Sequence, residues 1–99
     1  MLDAKTNTWE IVDTCFSTFH LNFDNDPNNT IYSGGGGVLG WVNTNIWDKT
    51  KDAGQAQGWT VQVVDTNGNG RLDPYVDVKE PADPTKDTRV GQGCYGVMA

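Results

Sequence analysis

Thr18-Phe19-His20-Leu21-Asn22-Phe23, Thr30-Ile31-Tyr32-Ser33 and Val38-Leu39-Gly40-Trp41-Val42-Asn43 stand in close succession near the middle of the chain. In the first run Phe19, Leu21 and Phe23 alternate with polar residues, the period of two that marks a half-buried strand. Asp24-Asn25-Asp26-Pro27-Asn28-Asn29 separates it from the second run with turn-forming residues. The glycines at 34–37 separate the second from the third, as a flexible stretch or a close approach of backbone to backbone. Trp59-Thr60-Val61-Gln62-Val63-Val64 alternates again and supplies a fourth strand. Runs of this length, bounded by turn chemistry, predict an all-β chain built on an antiparallel four-stranded meander.

The flanks are less regular. Thr8-Trp9-Glu10-Ile11-Val12-Asp13 reads as an earlier strand, and Cys94-Tyr95-Gly96-Val97-Met98-Ala99 as the start of a later one. Between residues 44 and 58 the alternation breaks, and Asn45-Ile46-Trp47-Asp48-Lys49-Thr50 fits a turn of helix capped by Asn45 or Thr44. Residues 80–89, with Pro81 and Pro84, read as an exposed connection. Val76 and Val78 fit the second arm of a hairpin that begins at Trp59.

Composition sets the outer bounds. The chain has 99 residues, of which 36% are apolar, so it is one domain at most. A chain of this size buries only about two-thirds of the surface its unfolded form exposes. Thirteen acidic against seven basic residues give a net charge of −6. Such a surface repels a phosphate backbone and has no basic stripe, so nucleic acid is not expected as a partner. No stretch approaches the ~18 apolar residues of a membrane helix. The opening Met1-Leu2-Asp3-Ala4-Lys5 lacks the basic and apolar regions of a signal peptide. Cys15 and Cys94 leave two readings open: a disulfide closing a long loop, or two free thiols.

A four-stranded meander flanked by the edges of other strands is the form of a propeller blade, which cannot bury its faces alone. His20-Leu21-Asn22-Phe23-Asp24, Asn28-Asn29-Thr30-Ile31-Tyr32-Ser33-Gly34-Gly35 and Val38-Leu39-Gly40-Trp41-Val42-Asn43 resemble blades of streptogramin-lyase-like (NHL-like) β-propellers. Asn28-Asn29 stands where those repeats carry Asp-Gly. The chain as a whole is similar to a stretch of large bacterial secreted proteins that contain such propellers. The resemblance implies one blade over approximately residues 18–64, a loop insertion over 65–90 and the start of a next blade at 94–99. It also implies neighbouring blades of a longer chain as partners, a small-molecule or carbohydrate ligand for the complete ring, and a secreted or periplasmic location.

The insertion opens with Asp65-Thr66-Asn67-Gly68-Asn69-Gly70-Arg71-Leu72-Asp73. Oxygen-bearing side chains fall at positions one, three, five and nine, with glycine at six. Calcium takes six to eight oxygen ligands, and this alternation wraps them round one centre. Asp65, Asn67, Asn69 and Asp73 are the candidate side-chain ligands, and the Arg71 carbonyl serves position seven. The pattern resembles the loops of dockerins, thrombospondin type-three repeats and EF-hands. At position twelve, where an EF-hand has a bidentate Glu, this chain has Val76, and Asp77 follows one residue late as a substitute. The expected affinity is weak, near the millimolar end known for extracellular modules. A rival reading needs no metal: Asn67-Gly68 and Asn69-Gly70 are each the signal of a type I′ hairpin.

No catalytic constellation accompanies the loop. His20 is the lone histidine, read either as a structural residue or as one lining a propeller channel. Neither cysteine has a neighbouring base, and no acid pair stands out for proton transfer. The glycines at 34–37 lack the Lys-Ser/Thr and helix of a phosphate loop. Trp9, Trp41, Trp47 and Trp59 fit packing first and a sugar platform second. The functional classes are therefore a non-catalytic structural and binding segment, part of a lyase-like enzyme whose active groups lie elsewhere, or a free-standing calcium-stabilised sandwich.

Overall fold

The computed structural model describes residues 1–91 and Val97. Apart from Val97, the expected strand at 94–99, and Cys94 with it, lies outside the described residues. Sheet dominates: the two helices have only seven and four residues.

The central sheet is the expected antiparallel meander. Its strands β3 (Leu21–Phe23), β4 (Thr30–Gly35), β5 (Val38–Asn43) and β6 (Gln57–Val61) lie in that order. To either side run a hairpin of β1 (Leu2–Asp3) with β2 (Thr8–Trp9) and a three-stranded sheet of β7 (Val63–Val64), β8 (Tyr75–Val76) and β9 (Asp87–Arg89). Helices α1 (Thr44–Thr50) and α2 (Ala53–Ala56) connect β5 to β6.

Each turn of the meander has a local cause. Asp26 accepts the Thr30 N–H at 2.8 Å and the Thr30 hydroxyl at 2.7 Å, which closes the turn between β3 and β4. Between β4 and β5, Gly35 pairs with Val38 across a two-residue turn in which Gly36 and Gly37 have φ of +60° and +81°. Positive φ at both central residues defines a type I′ turn, which matches the strand twist and is open to glycine at little cost. The glycine run is thus a hairpin turn.

Asn43 ends β5 and caps α1, its Oδ1 accepting the Ile46 N–H at 3.0 Å. The cap lies one residue before the expected Thr44 and two before Asn45, because the strand itself supplies the extended backbone that a cap requires. Lys51 closes α1 in a left-handed conformation, φ +51°, and its N–H returns to the Trp47 carbonyl. Asp52 then caps α2 through the Gly54 and Gln55 amides.

The helices pack on the central sheet, α1 against β4 and β5 and α2 against β6. Phe16, Val42, Trp47 and Ala56 form the buried cluster, with Val12, Val38, Ile46 and Ala53 against it. Burying each large side chain contributes about 1.5–3 kcal/mol, so four members make a small core. The N-terminal segment is strapped onto it by a polar clasp. Glu10 accepts the Trp47 indole N–H at 2.8 Å and pairs with Lys51 at 2.7 Å. The Lys51 contact, with the indole N–H second, holds the Glu10 carboxyl below its ordinary range.

Several strand expectations change in extent. The early run narrows to Thr8–Trp9, leaving Ile11 exposed. The run from Trp59 breaks at Gln62 into β6 and β7, which belong to different sheets. Residues 63–76 do not form one hairpin either: β9 lies between β7 and β8, antiparallel to the first and parallel to the second. The connection at 80–89 therefore ends in a central strand. Among the described residues no helix is long and apolar enough to cross a membrane.

Candidate metal centre

The loop at 65–73 is organised by Asp65. Its Oδ1 accepts the N–H groups of Gly68 at 2.7 Å and Asn69 at 3.2 Å, and its Oδ2 accepts that of Gly70 at 2.7 Å. The chain curls round one carboxylate, and Gly68 and Gly70 take φ of +72° and +70° to let it do so. These amides, Gly70 foremost, hold the Asp65 carboxyl below its ordinary range against a smaller opposing effect of desolvation. A lowered folded-state pKa stabilises the curl above the ordinary carboxylate pKa, and that contribution disappears as pH falls through the lowered value.

The alternate side chains face one another. Asn67 and Asn69 each donate Nδ2 to the same oxygen of Asp73, at 2.8 and 2.6 Å. Asn67 Oδ1 accepts the Asn69 N–H at 3.2 Å, and Asn69 Oδ1 accepts the Arg71 N–H at 2.9 Å. An amide oxygen has two lone pairs, so each keeps capacity for a second partner. Asp65, Asn67, Asn69 and Asp73 are thereby joined in one hydrogen-bonded loop. Arg71 enters it through its backbone.

Asp77 is placed differently. It follows β8 in a turn where its Oδ1 accepts the Val78 N–H at 2.7 Å and its carbonyl accepts the Glu80 N–H at 3.0 Å. Its carboxylate also lies 4.0 Å from Arg89.

The plain-hairpin alternative for the loop does not hold. A type I′ turn needs positive φ at both central residues. Among the described non-glycine residues, positive φ occurs at Asn7, Asn29 and Lys51, and at neither Asn67 nor Asn69. The Asn-Gly pairs instead serve a wider loop whose flanking strands do not pair with each other.

One residue of this region escapes a reading of sequence. Asp87 is 0% exposed, and its Oδ2 accepts the Asp73 N–H at 2.8 Å. Thr66 reinforces the same junction by donating to the Lys86 carbonyl at 2.8 Å. Lys86-Asp87-Thr88-Arg89 has no apolar alternation to mark it as a strand, and Asp87 lies fourteen residues from Asp73. Only the pairing of β9 brings it there.

Taken as donors, the loop offers two carboxylates, two amide oxygens and the Arg71 carbonyl, a set of hard oxygens suited to calcium. Among the described residues no group of three or more His, Cys, Asp or Glu side chains converges as a metal cage. The remaining candidates fall into structural places. His20 makes an edge-on contact with Phe19 at 4.7 Å between ring centroids. Cys15 carries an exposed free thiol. Trp47 is in the core, whereas Trp9 and Trp59 are exposed on separate strands. No family model, no curated protein and no solved structure matches this chain.

Proposed function

We propose that this chain is a non-catalytic structural and binding segment of a secreted β-propeller protein, and that its loop at 65–73 binds calcium weakly. The observation that supports the calcium reading is the curl of three backbone amides onto Asp65, which turns Asn67, Asn69 and Asp73 toward one another. A cation at that centre would draw on oxygens already gathered, so little chain entropy is lost on binding. Its role is mechanical: it holds a turn-rich insertion in one conformation beside the meander. The blade reading draws its support from the order β3-β4-β5-β6. In a complete ring the neighbouring blades would cover what this one leaves open.

A thermal melt followed by tryptophan fluorescence, in EDTA and in millimolar calcium, tests the loop. A ligand that binds the folded state raises the melting temperature by mass action. The 99-residue chain should melt higher in calcium, and Asp65→Ala should lose that response. A melt of the parent chain that ignores calcium removes the ion from the proposal.

A further inference from the structure

Residues 1–9 form a hairpin whose hydrogen bonds stay within residues 1–10. Leu2 pairs with Trp9 and Asp3 with Thr8. The Asp3 carboxylate accepts the Lys5 N–H at 2.9 Å, and the Thr6 and Thr8 hydroxyls meet at 2.6 Å. Met1 and Glu10 exchange two bonds through their main-chain groups, each of 2.7 Å. Among the described residues no hydrogen bond or ion pair joins residues 1–9 to the chain beyond Glu10. Glu10 is therefore the first tie to the body. Its carboxylate accepts the Trp47 indole N–H at 2.8 Å and the Lys51 ammonium at 2.7 and 2.9 Å. Ile11 follows, 85% exposed, and the next ties are at Asp13 and Cys15, both through the Gln57 side chain.

The hairpin lies beside apolar surface. Met1 and Leu2 form part of the wall of a groove of about 530 Å³ that also has Phe23, Ile31 and Val42 in its lining. No charged side chain lines it. We infer that residues 1–10 are a detachable strap over this groove, latched by Glu10 and released when that carboxylate loses its charge.

A protonated Glu10 still accepts from the indole but no longer attracts Lys51. An exposed ion pair is ordinarily a weak tie. Here it decides, because the hairpin has no second hydrogen bond or ion pair to the body, and Met1 and Leu2 stay 37% and 45% exposed. Lys51, with the Trp47 N–H second, holds the Glu10 carboxyl below its ordinary range. A lowered folded-state pKa makes the latch complete above the ordinary carboxylate pKa and loses it as pH falls through the lowered value. The other charged groups around it are Asp48 of α1, 3.8 Å from Lys51, Asp3 of β1, Lys5 in the turn that follows, and the Met1 amino group on the Glu10 carbonyl. Asp48 and Asp3 also pull on Lys51 and lose that pull in acid. A neutral side chain at position 10 separates its share from theirs at pH 7.

Backbone ¹⁵N relaxation of the 99-residue chain, beside Glu10→Gln, tests it. At pH 7 residues 2–9 of the parent should be as ordered as β4 and β5, with order parameters near about 0.85, and in Glu10→Gln they should fall below about 0.6. Strands β4 and β5 should keep theirs in both chains. Acidifying the parent should bring the same local loss. The dye ANS, which reports exposed apolar surface, should bind severalfold more strongly to Glu10→Gln at pH 7, because Ile31 and Val42 lose cover. Residues 2–9 that stay ordered in Glu10→Gln overturn the latch. A hairpin that loosens without added dye binding overturns the cover. Should Glu10→Gln not fold, Lys51→Gln removes the same ion pair from the other side and is read in the same way. Order lost at residues 2–9 only together with β4 and β5 would mean that no separate strap exists.

Discussion

Gly40 shows how little slack the core has. A Cβ at this position would lie 2.3–2.5 Å from three carbons of the Phe16 ring. Phe16 is buried in the same cluster as Val42 and Trp47, so a shift of its ring would disturb the core. Gly40→Ala should therefore lower stability by about 1–3 kcal/mol, the usual penalty of overpacking, measured by urea denaturation. An unchanged midpoint would mean that Phe16 does not seat on β5. Gly40 could be placed in a strand from sequence, but nothing in sequence names the ring above it. The same holds for Asp65. Its place in an oxygen-rich loop was legible from spacing, whereas the three amides that grip it depend on φ values that only the folded loop reveals.

The strands β4 and β5 were legible because turn residues bound each run, and β5 coincides with its expected bounds, whereas β3 keeps only Leu21–Phe23 of the expected run from Thr18. Strand β9 was not legible: Asp87, Thr88 and Arg89 carry no apolar signal, and their pairing with β7 and β8 is a tertiary effect. The break at Gln62 has a similar origin. Its N–H reaches the Gly37 carbonyl while its own carbonyl accepts from Val90, so this residue passes the chain from one sheet to the next. Helix α1 depends on Asn43 more than on propensity, for it is seven residues long with no acid in its first turn. Asn43→Ala should cost about 1 kcal/mol, typical of a lost N-cap. It should also weaken the protection of the Ile46 amide in hydrogen exchange. Equal protection in both chains would show that the cap is idle.

The molecule as a body is long: 52 × 22 × 21 Å, with a radius of gyration of 16.0 Å. A compact domain of about 100 residues has a radius near 13 Å. The excess length goes with a small core and with apolar side chains left in the open. Phe19, Leu21 and Phe23, expected to be half-buried, are 54%, 60% and 66% exposed; Leu21 and Phe23 lie on β3, an outer strand of the central sheet, and Phe19 precedes it. Leu21 and Phe23 also border a groove of about 530 Å³ lined by Val12, Ile31 and Val42. Exposed apolar side chains on a strand edge favour association. In sedimentation the 99-residue chain should form species larger than the monomer, and Phe23→Lys should reduce them. A strictly monomeric parent chain would count against a blade that needs neighbours.

The connection from 77 to 86 is exposed almost throughout, yet what it delivers is the central strand of the third sheet. A protease that cut this one stretch would leave every residue of the loop at 65–73 intact and covalently joined. It would nevertheless sever β9, three residues long, from the two strands it bridges. The Thr66 and Asp73 contacts that brace the loop would then no longer be held by a covalent link through 77–86. The loop would be disarmed by a cut made outside it, so its working lifetime in a protease-rich surrounding is set by the toughness of a neighbour that carries none of its side chains.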